Sequence, residues 1–255
     1  MYTLLIDSGN TYTKLVTLQG DRILHRLRIS GNVQEAVEQI QNLTARTEAF
    51  NPALWNLLYS SVSSTRSKLE AYLKRRASYV LILGTDTPLP LKEIRYNRKT
   101  LGVDRLAVAV AAFEKSALRM RDALIIDIGS AITFDRITRD GVFLGGTISP
   151  GPGLRLQALH TFTARLPLVE LPMHTNPALL TPQSTTDAIT QGVKLGILFE
   201  VQEYIRKTLA DNSETDVYLT GGWAPYFADQ LKNVTFVFPD LQMQGLNSIL
   251  AYNLQ

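Results

Sequence analysis

Two aspartates stand at matching places in the chain. Each closes an apolar, β-favouring run and comes two residues before a glycine, in Leu4-Leu5-Ile6-Asp7-Ser8-Gly9 and in Leu124-Ile125-Ile126-Asp127-Ile128-Gly129. A tight glycine-bearing turn lets backbone N–H groups approach an anion closely, because glycine has no Cβ and reaches positive φ. Two such turns facing each other could hold a polyphosphate, with the carboxylate at each strand tip placed to hold a metal ion or its water shell. Asp and Gly are also good turn formers in their own right, and a single Asp-x-Gly carries that plain reading. Two copies in register, with Asp7 over Asp127, Gly9 over Gly129 and Thr13 over Thr133, weigh against it.

Further along, Gly102-Val103-Asp104-Arg105 runs into the apolar stretch that begins at Leu106. Asp104 so placed either caps and complements a helix N-terminus or serves as a carboxylate that accepts a proton. Arg105 suits a carboxylate-bearing ligand through bidentate hydrogen bonding, or else starts a surface helix. Thr220-Gly221-Gly222 follows a strand pattern and precedes a helix pattern, where a glycine pair either turns the chain or lets a nucleotide approach the backbone. His25, His160 and His174 show no metal-ligand spacing, and there is no cysteine to act as nucleophile or thiolate ligand.

The elements that must position these residues alternate between strand and helix. Tyr2 to Ile6 and Tyr12 to Leu18 predict a hairpin; Ala123 to Ile126, Ile132 to Ile137 and Val142 to Thr147 predict a second hairpin with a third strand. Leu54 to Val62, Tyr79 to Leu83, Val217 to Thr220 and Val234 to Phe238 read as further strands. Helices are expected over Val33 to Leu43, Leu106 to Leu118, Gly153 to Thr163, Thr186 to Ala210 and a last segment ending near Tyr252. The expectation is an α/β protein with a duplicated core in two lobes, 1–120 and 121–255, with a hinge near Met120 to Ala123.

Composition narrows the function classes. With 255 residues, 45% hydrophobic and 19% charged, the chain has material for a substantial core, and its longest apolar run, Leu106 to Phe113, is far short of a bilayer span. The formal charge of +3 is small, and the basic residues are scattered. Even the densest run, Lys74-Arg75-Arg76, reads as the solvated end of a helix whose Leu69, Tyr72 and Leu73 face inward. A nucleic-acid or membrane partner is not expected. Lack of cysteine and of a basic-then-apolar leader points to the cytoplasm.

Taken together, these motifs resemble those of type III pantothenate kinases, members of the actin, hexokinase and Hsp70 superfamily with a ribonuclease H-like fold. Asp7-Ser8-Gly9-Asn10-Thr11-Tyr12-Thr13-Lys14 resembles the first phosphate motif of that family, Gly102-Val103-Asp104-Arg105 its G-x-D-R motif, and Asp127-Ile128-Gly129-Ser130-Ala131-Ile132-Thr133 its second phosphate motif. Gly145-Gly146-Thr147-Ile148-Ser149-Pro150-Gly151, Thr163-Ala164-Arg165-Leu166-Pro167 and Thr220-Gly221-Gly222 follow in family order over nearly the whole chain. Two departures stand out: Ser130 replaces the usual threonine, and Arg98 follows Asn97 where many members have proline.

The resemblance implies transfer of the ATP γ-phosphoryl group to the primary alcohol of pantothenate, the first step towards coenzyme A. It implies Asp104 as base; Asp7, Ser8, Gly9, Asn10, Thr11, Tyr12, Thr13, Lys14, Gly129, Ser130, Gly221 and Gly222 towards ATP; and Tyr96, Gly102, Val103, Asp104, Arg105 and Thr185 towards pantothenate. Thr185 could equally be a helix cap. Mg²⁺ would be met by Asp7 through water, and a monovalent cation, K⁺ or NH₄⁺, by Asp127. A homodimer is implied, with the pantothenate site near its interface. Leu106 to Leu118 is a candidate for dimer packing or for burial within one subunit, and Tyr96 and Arg105 lie in the first half while Thr185 lies in the second. Competing readings are a kinase of the same superfamily acting on another small alcohol and a noncatalytic regulatory relative; an actin-like filament subunit would need a longer chain.

Overall fold

The first hairpin forms as expected. In the computed structural model, which describes residues 1–9, 12–20, 22–29, 38, 39, 42, 55–61, 74, 77–172 and 180–255, β1 (Tyr2–Ser8) pairs antiparallel with β2 (Thr13–Gln19). Next, β3 (Arg22–Ile29) extends the meander, while β4 (Trp55–Ser61) and β5 (Tyr79–Ile82) add in parallel on the other side of β1. The order is β3-β2-β1-β4-β5. The helix expected over Val33 to Leu43 lies mostly outside the described residues, and Leu69, Tyr72, Leu73, Arg75, Arg76, His174, Asn10 and Thr11 lie wholly outside them.

The second sheet repeats this plan. It contains β6 (Glu93–Ile94), β7 (Asp122–Ile128), β8 (Ala131–Ile137), β9 (Val142–Pro150), β10 (Thr215–Thr220) and β11 (Phe236–Val237), in the order β11-β10-β7-β8-β9-β6. Strands β7, β8 and β9 form an antiparallel meander, and β10 and β11 continue from β7 in parallel. Strand for strand this is the arrangement of the first sheet, with β6 added against β9. The repeat seen in the Asp-x-Gly tips is therefore a repeat of whole sheets.

Helices lie between and beyond these strands. Among them are α1 (Val103–Ala117), α2 (Pro152–Thr161), α3 (Thr185–Asp211), α4 (Ala224–Ala228) and α5 (Leu241–Asn253). In α3, Ile189, Val193, Ile197, Val201 and Ile205 recur every four residues and pack with Leu124, Ile126, Phe134 and Leu219 of the second sheet. Each such side chain stabilises the fold by about 1.5–3 kcal/mol through removal from water. The first sheet has its own core of Leu4, Ile6, Leu15, Ile29, Leu57 and Tyr59, with Tyr2 stacked on Trp55. In α1, every residue from Leu106 to Ala112 is at most 1% exposed. Burial within the chain uses all faces of Leu106 to Ala112, whereas Leu118, at the end of the expected stretch, is 89% exposed.

The chain divides into two compact units, one of Met1–Pro90, Asn97–Ala111 and Gln242–Gln255, the other of Leu91–Tyr96 and Ala112–Leu241. The single cut expected at 120–121 becomes an interleaving. Strand β6 carries Leu91–Tyr96 into the second sheet, and α5 belongs with the first unit. Glycine explains the latter: a Cβ on Gly245 would overlap the Ala107 carbonyl, so α5 and α1 meet backbone to backbone. A mid-helix glycine costs about 1 kcal/mol relative to alanine, which the close crossing explains.

Candidate active site

In the second unit, the tip of β7 gathers three glycine-bearing segments. Asp127 lies opposite Thr133 on β8 and beside Thr220 on β10. The turn is closed by the Gly129 N–H donating to the Ala131 carbonyl at 2.9 Å. Gly221 sits at φ +95°, and a Cβ there would overlap the Asp127 carboxylate and the Ile128 carbonyl. The Trp223 N–H donates to that same carbonyl at 3.0 Å. From the other side Gly151 closes on Gly129 and Ser130, its N–H donating to the Ser130 carbonyl at 3.1 Å. By contrast, a Cβ on Gly222 would meet open space. Gly129, Ser130, Gly221 and Gly222 are thus brought together beside Asp127, with Ser130 exposed.

The oxygen groups at this tip could serve a cation. Thr133 Oγ1 is buried without a hydrogen-bond partner, directly across the strand pair from Asp127. An uncommitted buried hydroxyl next to a carboxylate position is a ready oxygen donor. Among the described residues, no three His, Cys, Asp or Glu side chains cluster as a metal cage. A divalent ion would therefore take much of its coordination from phosphate oxygens and water.

The first unit repeats the device at the tip of β1. Gly9 N–H donates to the Tyr12 carbonyl at 3.0 Å, and the Ser8 and Thr13 hydroxyls lie 3.3 Å apart. Asp7, 6% exposed, has Lys14 as its partner on β2 and Ser60 on β4. Burial pushes its carboxyl above the ordinary range; Lys14 pulls it down, Asp104 raises it, and the neighbouring Ser60 and Gln242 side chains lower it. Asp7 and Asp104 are therefore electrostatic neighbours. Tyr12, the most exposed part of this motif's apolar surface, carries Arg28 over its ring at 3.7 Å.

Local geometry explains the G-x-D-R spacing. The Asp104 carboxylate folds back at the start of α1, accepting from the Arg105 N–H at 2.9 Å and lying where a Cβ of Gly102 would be. Any larger residue at 102 would displace it. Arg105 is 4% exposed, which removes the reading of a surface helix-start arginine, and Val103 is a core residue that can offer a ligand only its backbone.

Tyr96 and Thr185 stand elsewhere. Tyr96 belongs to the second unit, not with Arg105 in the first, because β6 joins β9: the Arg95 N–H donates to the Phe143 carbonyl at 2.9 Å. Its ring packs over Gly145, which is at φ +94°, and edge-on to Phe143. Thr185 opens α3 and is exposed, but the cap is Ser184, whose hydroxyl accepts from the Asp187 N–H at 3.1 Å and donates to its carboxylate at 2.6 Å. The cap role considered for Thr185 is therefore taken. Arg98, in place of proline, donates to the Thr87 carbonyl at 2.8 Å, while Asn97 holds the turn through the N–H groups of Lys99, Thr100 and Leu101.

Several contributors were not singled out as site residues from sequence, Ser60 beside Asp7 and Thr133 opposite Asp127 among them. The bracing role of Gly151 was hidden in a motif quoted whole. Gln242 carries no local signal, since its partners are set by the return of α5 to the first unit.

Comparison with known proteins places these features. Residues 3–207 match the type III pantothenate kinase family. The type III pantothenate kinase of Porphyromonas gingivalis strain ATCC 33277 is 37% identical over 254 residues, 99% of each chain. Two solved structures share the fold at lower identity. One is a Campylobacter jejuni protein described as a Baf family transcriptional activator, 22% identical with a TM-score of 0.58 over 98% of both chains. The other is the inorganic polyphosphate/ATP-glucomannokinase of Arthrobacter sp. strain KM, 15% identical with a TM-score of 0.52 over 99% of both. The duplicated sheets thus have the actin/hexokinase-like fold. With the two Asp-x-Gly tips, the G-x-D-R turn and a match along nearly its whole length, the chain belongs to the type III pantothenate kinase family.

Proposed function

We propose the following assignment of residues to the reaction of this family, the ATP-dependent phosphorylation of pantothenate that opens coenzyme A synthesis. Asp104 accepts the proton of the pantothenate primary alcohol as its oxygen attacks the γ-phosphorus, and ADP leaves. The observation that carries this is the Asp104 carboxylate, half-buried at a helix start, held by the Arg105 N–H and electrostatically coupled to Asp7. Arg105 and Tyr96 orient pantothenate, Arg105 through its carboxylate. The backbone around Gly9 and Gly129, with Ser8, Asn10, Thr11, Tyr12, Thr13, Lys14 and Ser130, receives the phosphates, and Gly221-Gly222 receives the nucleoside. Mg²⁺, when bound, neutralises phosphate charge, with Asp7 holding its water shell; Asp127 and Thr133 hold K⁺ or NH₄⁺.

The expected unit is a cytoplasmic homodimer, and no helix among the described residues is long and apolar enough to cross a membrane. Ile148 on β9, Leu154 on α2, Phe162 just beyond it and Phe199 on α3 are 52–85% exposed on elements that pack against one another. That much apolar surface suits a second copy, which would bring Thr185 of the partner subunit to the pantothenate site. Coexpressed Asp104→Asn and Thr185→Ala chains should then regain activity through mixed dimers; no recovery, or a fully active monomer, removes the shared site. The catalytic assignment is tested by Asp104→Asn alone, which should lower kcat at least about 100-fold with ATP binding kept. Near-normal turnover removes Asp104 as base.

A further inference from the structure

Gln242 sits in the first turn of α5, more than two hundred residues from the motif it touches, and is 8% exposed. Its Oε1 accepts from the Lys14 ammonium at 3.1 Å, Lys14 lies directly opposite Asp7 across the strand pair, and the amide lowers the pKa of the Asp7 carboxyl as a donor turned towards it does. An ammonium can only donate and an ionised carboxylate can only accept, so the amide must turn its oxygen to Lys14 and its NH₂ to Asp7. Glutamine satisfies both partners at once. Glutamate could not donate to Asp7, and a hydrophobic residue would serve neither.

The amide is also firmly seated. Leu241, Leu246, Ile249 and Leu250 of α5 are at most 1% exposed, and Gly245, one turn from Gln242, lets the helix backbone touch Ala107 of α1. The groups around the Asp7 carboxyl are thus Lys14 from β2, Ser60 from β4, Asp104 from α1 and Gln242 from α5. Lys14 and Asp7 are directly opposed across the strand pair and, with nothing between them, would close into an ion pair. A lysine so engaged would be lost to the phosphates of ATP, and the carboxylate would be lost to its own task.

We propose that Gln242 is a positioning residue for ATP binding: its amide stands between Lys14 and Asp7, keeping the ammonium off the carboxylate and poised for the triphosphate. This rests on the reading of Lys14 and Asp7 as ATP-contacting residues. It extends the first phosphate motif to the far end of the chain.

The test is a mutant cycle with two readouts, the Kd of ATP by calorimetry in chelator, which needs no metal and no turnover, and steady-state kinetics. Gln242→Leu should weaken ATP binding and raise KM for ATP at least tenfold, with KM for pantothenate within twofold of wild type. In a Lys14→Met background the same substitution should add less than threefold. Gln242→Glu, which keeps shape and the acceptor for Lys14 but loses the donor to Asp7, covers the case in which the leucine variant does not fold, and should also weaken ATP binding. Wild-type ATP affinity in either folded variant, or an equal loss with and without Lys14, overturns the role of Gln242. If Lys14→Met itself binds ATP normally, the ATP reading of the motif fails and the inference falls with it.

Discussion

Substituting alanine at Gly221 and at Gly222 should separate two kinds of failure at adjacent positions. At Gly221 the backbone has φ +95°, where a side chain strains the chain by about 1–3 kcal/mol. The new Cβ would also overlap the Asp127 carboxylate and lie 2.6 Å from the Ile128 carbonyl carbon, an atom fixed by its strand. Forced overpacking of this kind costs about 1–3 kcal/mol more. The total, about 2–6 kcal/mol, is a large share of the roughly 5–15 kcal/mol that holds a typical domain together. At about 2–4 °C per kcal/mol, the melting temperature of Gly221→Ala should fall by roughly 5–20 °C. At Gly222 the same methyl meets nothing within 4 Å. Gly222→Ala should therefore melt within about 0.5 kcal/mol of wild type while raising KM for ATP, because the space it fills is assigned to the nucleoside. Differential scanning calorimetry without ligand, followed by ATP kinetics, reads both. A Gly221→Ala protein that melts like wild type would refute the steric reasoning, and unchanged ATP kinetics in Gly222→Ala would refute the nucleoside assignment.

Asp7 supplies a prediction of opposite sign. Its carboxyl is raised above the ordinary 3.8 chiefly by burial, so its favourable contribution to folding is fully present below that value and is lost as pH rises through the raised pKa. Asp7→Asn should accordingly raise the melting temperature at pH 7, with the gain vanishing towards pH 3.8, while ATP use is impaired; a variant less stable at pH 7 would contradict this. At Gly145, φ is +94° and a Cβ would lie 2.9 Å from the Tyr96 ring. Gly145→Ala should displace that ring and raise KM for pantothenate several-fold with KM for ATP unchanged, and equal effects on both substrates would detach Tyr96 from pantothenate.

What could be read from sequence was what local rules control. The two hairpins follow from apolar runs that end in Asp-x-Gly and are followed by alternating strands, and α3 from its four-residue apolar spacing, so these elements stand within a few residues of expectation. Strand β3 was not legible, since Arg22, Arg26 and Arg28 interrupt an edge strand that buries little beyond Ile29. Nor were the two-residue β6 and the five-residue α4, too short to show a period. Candidate site residues at turns could be singled out because glycine and aspartate mark turns locally. Membership of a unit was not: Tyr96 joins the second sheet through β6, and Gln242 joins the first through a helix crossing that Gly245 permits. Both depend on long-range pairing that no window of sequence contains. The Ser184-x-x-Asp187 capping pair was legible in principle, and it frees Thr185 for another role.

The central claim is that this chain transfers phosphate from ATP to pantothenate with Asp104 as base. Coupled ADP release tests it most directly, run on wild type and on Asp104→Asn with pantothenate, with other small primary alcohols and with no acceptor, each in potassium and in sodium. The expected result is ADP release from wild type that depends on pantothenate and is faster in potassium, with release from an ATP-binding Asp104→Asn protein reduced at least about 100-fold. ADP release that ignores pantothenate, or that prefers another alcohol, would contradict the substrate, and release that survives loss of the Asp104 carboxylate would contradict the mechanism.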